Sequence, residues 1–141
     1  MNNDFLSLTM ENFGLKEMSP KEVSPLMLAY LGDAVYEIIM RTIVVSQGNR
    51  SMNAANHDNI KYVNAGFQAR MAEILSEDFT EEELTQYRRG KNAKSATSAK
   101  NASLADYHKA TGFEAVIGFL FLKGENDRIV QLCKTGIEKL R

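Results

Sequence analysis

The 141-residue sequence predicts an all-α domain, and three observations carry that prediction. Apolar residues return at three- and four-residue spacing through most of the chain. Helix-starting signals precede those stretches at Ser24-Pro25, at Thr80 with Glu83, and at Ser103, and Gly48 and Gly124 follow two of them. No alternating strand pattern or hairpin turn interrupts them.

Taken in order, Ser24 caps a helix whose Pro25 sits in the first turn, where a missing N–H costs nothing. Leu28, Leu31, Val35, Ile38 and Ile39 then form one apolar stripe, reaching about Gln47-Gly48. A second helix starts near Ser51 and carries Ala54, Ala55, Ile60 and Val63 to about Asn64; a third continues through Phe67, Met71, Ile74 and Leu75. Thr80 and Glu83 fit a capping box, and Glu81 and Glu82 suit the positive end of a fourth helix that ends near Gly90. Residues 91–102 (KNAKSATSAKNA) lack periodic apolar residues and read as a loop. From Ser103 a helix runs to about Lys123-Gly124, with Phe113, Val116, Ile117, Leu120 and Phe121 inward. The last helix covers 126–140 through Ile129, Leu132, Cys133 and Ile137.

Composition narrows the function. A single cysteine excludes an intramolecular disulfide and a Cys-based zinc site, and His57 and His108 have no ligand spacing with it. No apolar run approaches the ~20 residues of a membrane span. The N-terminus, with Asp4 and Glu11, lacks a signal-peptide flank, so a soluble cytoplasmic protein is expected. The net charge of −1 hides a segregation: residues 1–87 carry 13 acids and 6 bases, whereas 88–109 carry six bases and only Asp106.

Two acids stand where acids are expensive. Asp33 lies in LMLAYLGDAVYEIIM, where Glu37 is the only other charge, and Glu114 is the only charge in GFEAVIGFLFL. A buried unpaired carboxylate costs several kcal/mol, so each needs a partner or a wet groove. Gly32 precedes Asp33, and Gly112 and Gly118 bracket Glu114; glycine inside a helix fits a close helix approach that brings the two acids together. Two converging carboxylates make a hard-oxygen site for Mg²⁺ and metal-assisted phosphodiester hydrolysis. The competing reading of Asp33 is a carboxylate held by a nearby base or helix terminus. Glu37 has Arg41 one turn on, which fits an ordinary i, i+4 ion pair. The segment RRGKNAKSATSAK offers Arg88, Arg89, Lys91, Lys94 and Lys100 to phosphates, with Ser95, Thr97 and Ser98 as further donors. A merely solvated loop has the same composition. Without aromatics it favours backbone contact over base stacking.

YLGDAVYE (30–37), RRGKNAKS (88–95) and GFEAVIGFLFL (112–122), in this order, resemble the catalytic domain of the ribonuclease III family in its stand-alone form, Mini-ribonuclease III. The resemblance assigns 22–141 to that domain and leaves 1–21 as an N-terminal extension. It implies a helical homodimer that cuts double-stranded RNA with Mg²⁺, Mn²⁺ being able to substitute, and leaves a 5′-phosphate. Asp33 matches the family's signature aspartate and Glu114 its metal-ligand glutamate. The implied role is maturation of the 23S ribosomal RNA precursor, with a large-subunit ribosomal protein presenting the RNA. Ala29 and Leu26 stand where the common signature has glutamates, and Thr111 where the second motif has an aspartate, which leaves Thr111, Asp106 and Glu37 as candidates for an assisting role. With no separate RNA-binding domain, the 88–100 segment carries the grip, reading shape and phosphates of A-form RNA. The missing acids also fit a non-catalytic RNA-binding or ribosome-assembly module of the same fold, and a helical scaffold for protein partners is a third reading.

Overall fold

The computed structural model describes residues 4–93 and 103–140. All regular structure in them is helical: α1 (Phe5–Asn12), α2 (Pro25–Ser46), α3 (Met52–Val63), α4 (Ala65–Leu75), α5 (Glu81–Lys91), α6 (Leu104–Leu122) and α7 (Asn126–Leu140), with 3₁₀ turns at Pro20–Glu22 and Ser76–Asp78. The expected caps form. Ser24, Ser51 and Ser103 each accept from a backbone N–H three residues on, and Thr80 and Glu83 close a capping box.

The hub is α6, buried from Ala110 to Leu120 except at Glu114. A helix apolar all round must be enclosed by others, and α2, α4 and α5 all pack against it. Its contact with α2 is backbone on backbone. A Cβ placed on Gly32 would lie 1.8 Å from the Glu114 carbonyl oxygen, and one on Gly118 would lie 2.0 Å from that of Leu28. On the other flank a Cβ at Gly90 would lie 2.8 Å from the Ala115 Cβ, and Gly112 meets the backbone and ring of Tyr87. Around these crossings Tyr36 and Phe113 meet edge to face at 5.5 Å. The Tyr36 hydroxyl donates to the Tyr62 carbonyl at 2.6 Å, joining α2 to the end of α3.

Opposite the basic end, a charged clasp closes the fold. Glu83 is 2% exposed, yet its carboxylate receives Arg128 Nε and Nη2 at 2.9 and 2.8 Å, as well as the Thr80 N–H. Burial works against its ionised form, but the Arg128 bonds and the Thr80 N–H hold its pKa below the usual carboxylate range. Arg128 also donates to the Asp78 carbonyl at 2.7 Å, so one side chain ties α7 to the start of α5.

The sequence pattern differs from the structure in three places. The buried line of α2 is Leu28, Ala29, Gly32, Tyr36, Met40 and Val44, whereas Ile38 is 58% exposed and Leu31, Val35 and Ile39 are half-buried. This helix has two apolar faces, and the more strongly apolar residues do not mark the deeper one because Gly32 and Tyr36 supply the contacts with α6 and α3. In α3 the buried residue is Asn59, and Ile60 is exposed. Gly90, near which α5 ends as expected, is buried against α6. The extension ahead of residue 22 contains α1, started by Asp4, whose carboxylate accepts from the Ser7 N–H at 2.8 Å.

Gly32→Ala and Gly118→Ala should each destabilise the protein by about 3 kcal/mol in urea unfolding, because overpacking outweighs the ~1 kcal/mol that alanine gains in helix propensity. Arg128→Ala strands the Glu83 carboxylate and should cost about 3 kcal/mol in the same assay, more than Arg41→Ala at an exposed pair.

Candidate active site

The crossing of α2 and α6 builds the site. Gly32 and Gly118 let the helices touch, and Asp33, next to Gly32, then meets Glu114, one turn before Gly118. The two carboxyl groups lie within hydrogen-bonding reach of each other, Asp33 exposed and Glu114 half-buried. Burial first, then the hydrogen bond and charge of Asp33, and last the charge of Glu37 push the Glu114 carboxyl up to about 9. In neutral solution Glu114 therefore keeps its proton unless a cation replaces it. No base neutralises the pair, so the reading of Asp33 as an ordinary ion-pair partner has no support among the described residues.

Glu37 behaves as its spacing predicts, accepting from Arg41 Nε at 2.8 Å. It also accepts from Asn59 Nδ2 of α3 at 3.2 Å, a long-range contact that the spacing does not signal. For Thr111 and Asp106 the structure shows other contacts. The Thr111 hydroxyl donates back to the Tyr107 carbonyl at 2.9 Å. Asp106 lies two turns before Glu114 along α6, roughly 12 Å by helical rise, and faces Gly66.

The basic segment divides. Arg88 and Lys91 are exposed at the end of α5 and make no ion pair within the described residues. Arg89 is half-buried, and its guanidinium donates to the Gln86 side chain at 2.8 Å and to the carbonyls of Val23 and Lys21 at 3.2 and 3.4 Å. Its donors fasten the chain ahead of α2 onto α5. Lys94 and Lys100 lie outside the described residues.

A carboxyl whose pKa is raised by folding makes the folded state hold a proton that the unfolded chain releases. Its stabilising contribution is full below about pH 4.5 and is lost as pH rises toward about 9. In chelator-treated protein, Glu114→Gln should therefore remove part of the fall in melting temperature between pH 5 and 9; an unchanged slope would assign that fall to other groups.

The comparisons with known proteins identify the family. Residues 26–125 match the Ribonuclease III domain family. Mini-ribonuclease 3 of Clostridium tetani is 44% identical over 115 residues, covering 81% of this chain and 76% of its own. Mini-ribonuclease 3 of Enterococcus faecalis is 43% identical over 122 residues, 85% of this chain and 92% of its own. A crystal structure of a Fusobacterium nucleatum protein superposes with a TM-score of 0.77 at 28% identity, covering 85% of this chain and 96% of that one. With its two acid motifs meeting at the glycine crossing, the chain belongs to the ribonuclease III family, among the Mini-ribonuclease 3 proteins.

Proposed function

We propose that this ribonuclease III-type protein is a homodimeric, Mg²⁺-dependent endoribonuclease of double-stranded RNA, acting on precursor 23S ribosomal RNA in the cytoplasm. The observation that carries the proposal is the contact between Asp33 and Glu114, with Glu114 pushed up to about 9. Two acids held together need either a shared proton or a cation, and an all-oxygen donor pair suits Mg²⁺ or Mn²⁺. These residues fit such an ion, and Asp33 and Glu114 would hold it. When bound, it supplies an activated water and stabilises the charge on the leaving oxygen of a phosphodiester.

The chain's own groups do the rest. Gly32 and Gly118 set how closely the two acid-bearing helices cross. Arg88 and Lys91 are free to neutralise RNA phosphates, and Lys94 and Lys100 of the same segment are assigned the same task. Dimerisation is supported by the apolar side chains around Asp33: Met27 and Tyr30 ahead of it and Ile38 after it are 58, 76 and 58% exposed. A second copy on this face would set two carboxylate pairs and two basic segments along one duplex. Help from a large-subunit ribosomal protein that presents the RNA completes the reading. No described helix is long and apolar enough to cross a membrane.

A perfect RNA duplex incubated with the protein should be cut only when Mg²⁺ is present. Asp33→Asn or Glu114→Gln should lower cleavage more than about a hundredfold while duplex binding persists. Binding without any metal-dependent cutting would instead establish the non-catalytic RNA-binding module. Replacing Arg88 and Lys91 together by alanine should weaken binding to all duplexes and lower the salt slope by about one for each phosphate no longer neutralised, whereas Arg89→Ala should chiefly lower stability. An unchanged slope would move the RNA path elsewhere.

A further inference from the structure

The segment ahead of residue 22 holds a capped helix none of whose residues is buried. Asp4 starts α1 by accepting from the Ser7 N–H at 2.8 Å. Gly14, at φ +59°, ends it: the Gly14 N–H donates to the Glu11 carbonyl at 3.2 Å and the Leu15 N–H to that of Met10 at 3.0 Å, the paired bonds of a Schellman motif. Eight residues are too few for a helix to persist in water by itself, so α1 needs tertiary support. Its own chain gives little. Phe5 and Leu8, three residues apart on one face, are 76 and 42% exposed.

Beside α1 lies an open apolar trough. Leu6, Met10 and Leu15 stand between two hollows of about 540 and 450 Å³. The larger is lined by Leu31, Val35 and Ile39 of α2 and by Ile129 and Val130 of α7, and no charged side chain lines it. A third hollow of about 500 Å³ shares Ile38, Ile39 and Val130 with it and continues the trough to Ile137. Phe5, Ile38 and Val130 along the trough are 76, 58 and 55% exposed. Ile38 also belongs to the α2 face that carries Met27 and Tyr30, so trough and face form one uncharged surface.

Area decides what this surface is for. A standard interface covers about 800 Å² on each partner, whereas three side chains as exposed as Met27, Tyr30 and Ile38 offer only roughly 350 Å². Adding Phe5, Leu8 and Val130 doubles the number of exposed apolar side chains across α1, α2 and α7. A two-fold pair must use the same patch on both copies, and a patch without charge is complementary to itself. We propose that the exposed face of α1 belongs to the surface that a second copy of this chain covers, so that the N-terminal extension clamps the dimer. The inference rests on the homodimer proposed above and adds the extension to its interface.

Sedimentation equilibrium of the full chain tests the clamp. Phe5→Asp with Leu8→Asp puts two charges into the surface and spares the core, since neither residue is buried. The double variant should raise the dimer dissociation constant at least about tenfold. Ile38→Asp should do the same, whereas Ile60→Asp, 59% exposed on α3, should leave it native. Phe5→Ala with Leu8→Ala keeps good helix formers in α1 and should weaken the dimer in the same direction. Native dimerisation in both Phe5 and Leu8 double variants, with loss in Ile38→Asp, would remove α1 from the interface and leave the dimer of the proposed function standing. Tighter dimerisation in those variants would make α1 a cover that competes with the second copy, and equal loss in Ile60→Asp would deny the surface its place; either overturns the clamp. A native chain that stays monomeric at every concentration removes the dimer and the clamp together.

Discussion

The crossing of α2 over α6 at Gly32 and Gly118 is the constraint on which the molecule depends. No side chain fits between the two backbones, since a Cβ on either glycine would sit about 2 Å from a carbonyl oxygen of the other helix. Glycine costs helix stability at both positions, and the close packing that it permits offsets that cost. The same contact aligns Asp33 with Glu114, because each is fixed a set number of residues from its glycine. A second close crossing, at Gly90 and Gly112, holds the other flank of α6. The central helix is therefore clamped from both sides, and Glu114 cannot move away from Asp33 without separating packed backbones.

That arrangement works against stability when Glu114 ionises. Two like carboxylates in contact, one of them half-buried, favour the protonated state of Glu114 and penalise its ionisation. The remainder of the fold carries strong compensating features. The capping box of α5, the paired hydrogen bonds between Arg128 and buried Glu83, and the bond from Tyr36 to Tyr62 each satisfy polar groups inside the domain. The unfavourable electrostatics sit at the crossing of α2 and α6, where the charges of Asp33 and Glu37 act on Glu114.

Charge is divided along the chain in a way that the fold then refines. The acidic body and the basic 88–109 segment are evident in residue order, but not all of those bases are available. Arg88 and Lys91 are exposed, while Arg89 commits its guanidinium to carbonyls of residues 21 and 23. Successive residues of a helix point in different directions, so adjacent members of one basic run differ, some facing outward and one fastening the chain. The exposed apolar side chains around Asp33 give α2 a second face, which explains why its strongest apolar residues are not its deepest.

By itself the sequence determined the helical architecture, most helix limits, the caps at Ser24, Ser51, Thr80 and Ser103, and the two acids on which the site rests. Those features are local: they depend on spacing along one helix, on capping side chains, and on charges placed in apolar runs beside glycine. Family resemblance added the role expected of each acid. Tertiary structure decided what spacing cannot express. Asn59 reaches Glu37 across 22 residues, Arg89 reaches Val23 across 66, and Arg128 reaches Glu83 across 45. Such partners are chosen by the angle at which helices cross, and that angle follows from contacts among many residues at once. For the same reason α2 buries Gly32 and Tyr36 while leaving Ile38 outside: hydrophobicity selects which residues are able to be buried, and the packing of neighbouring helices selects which of them are.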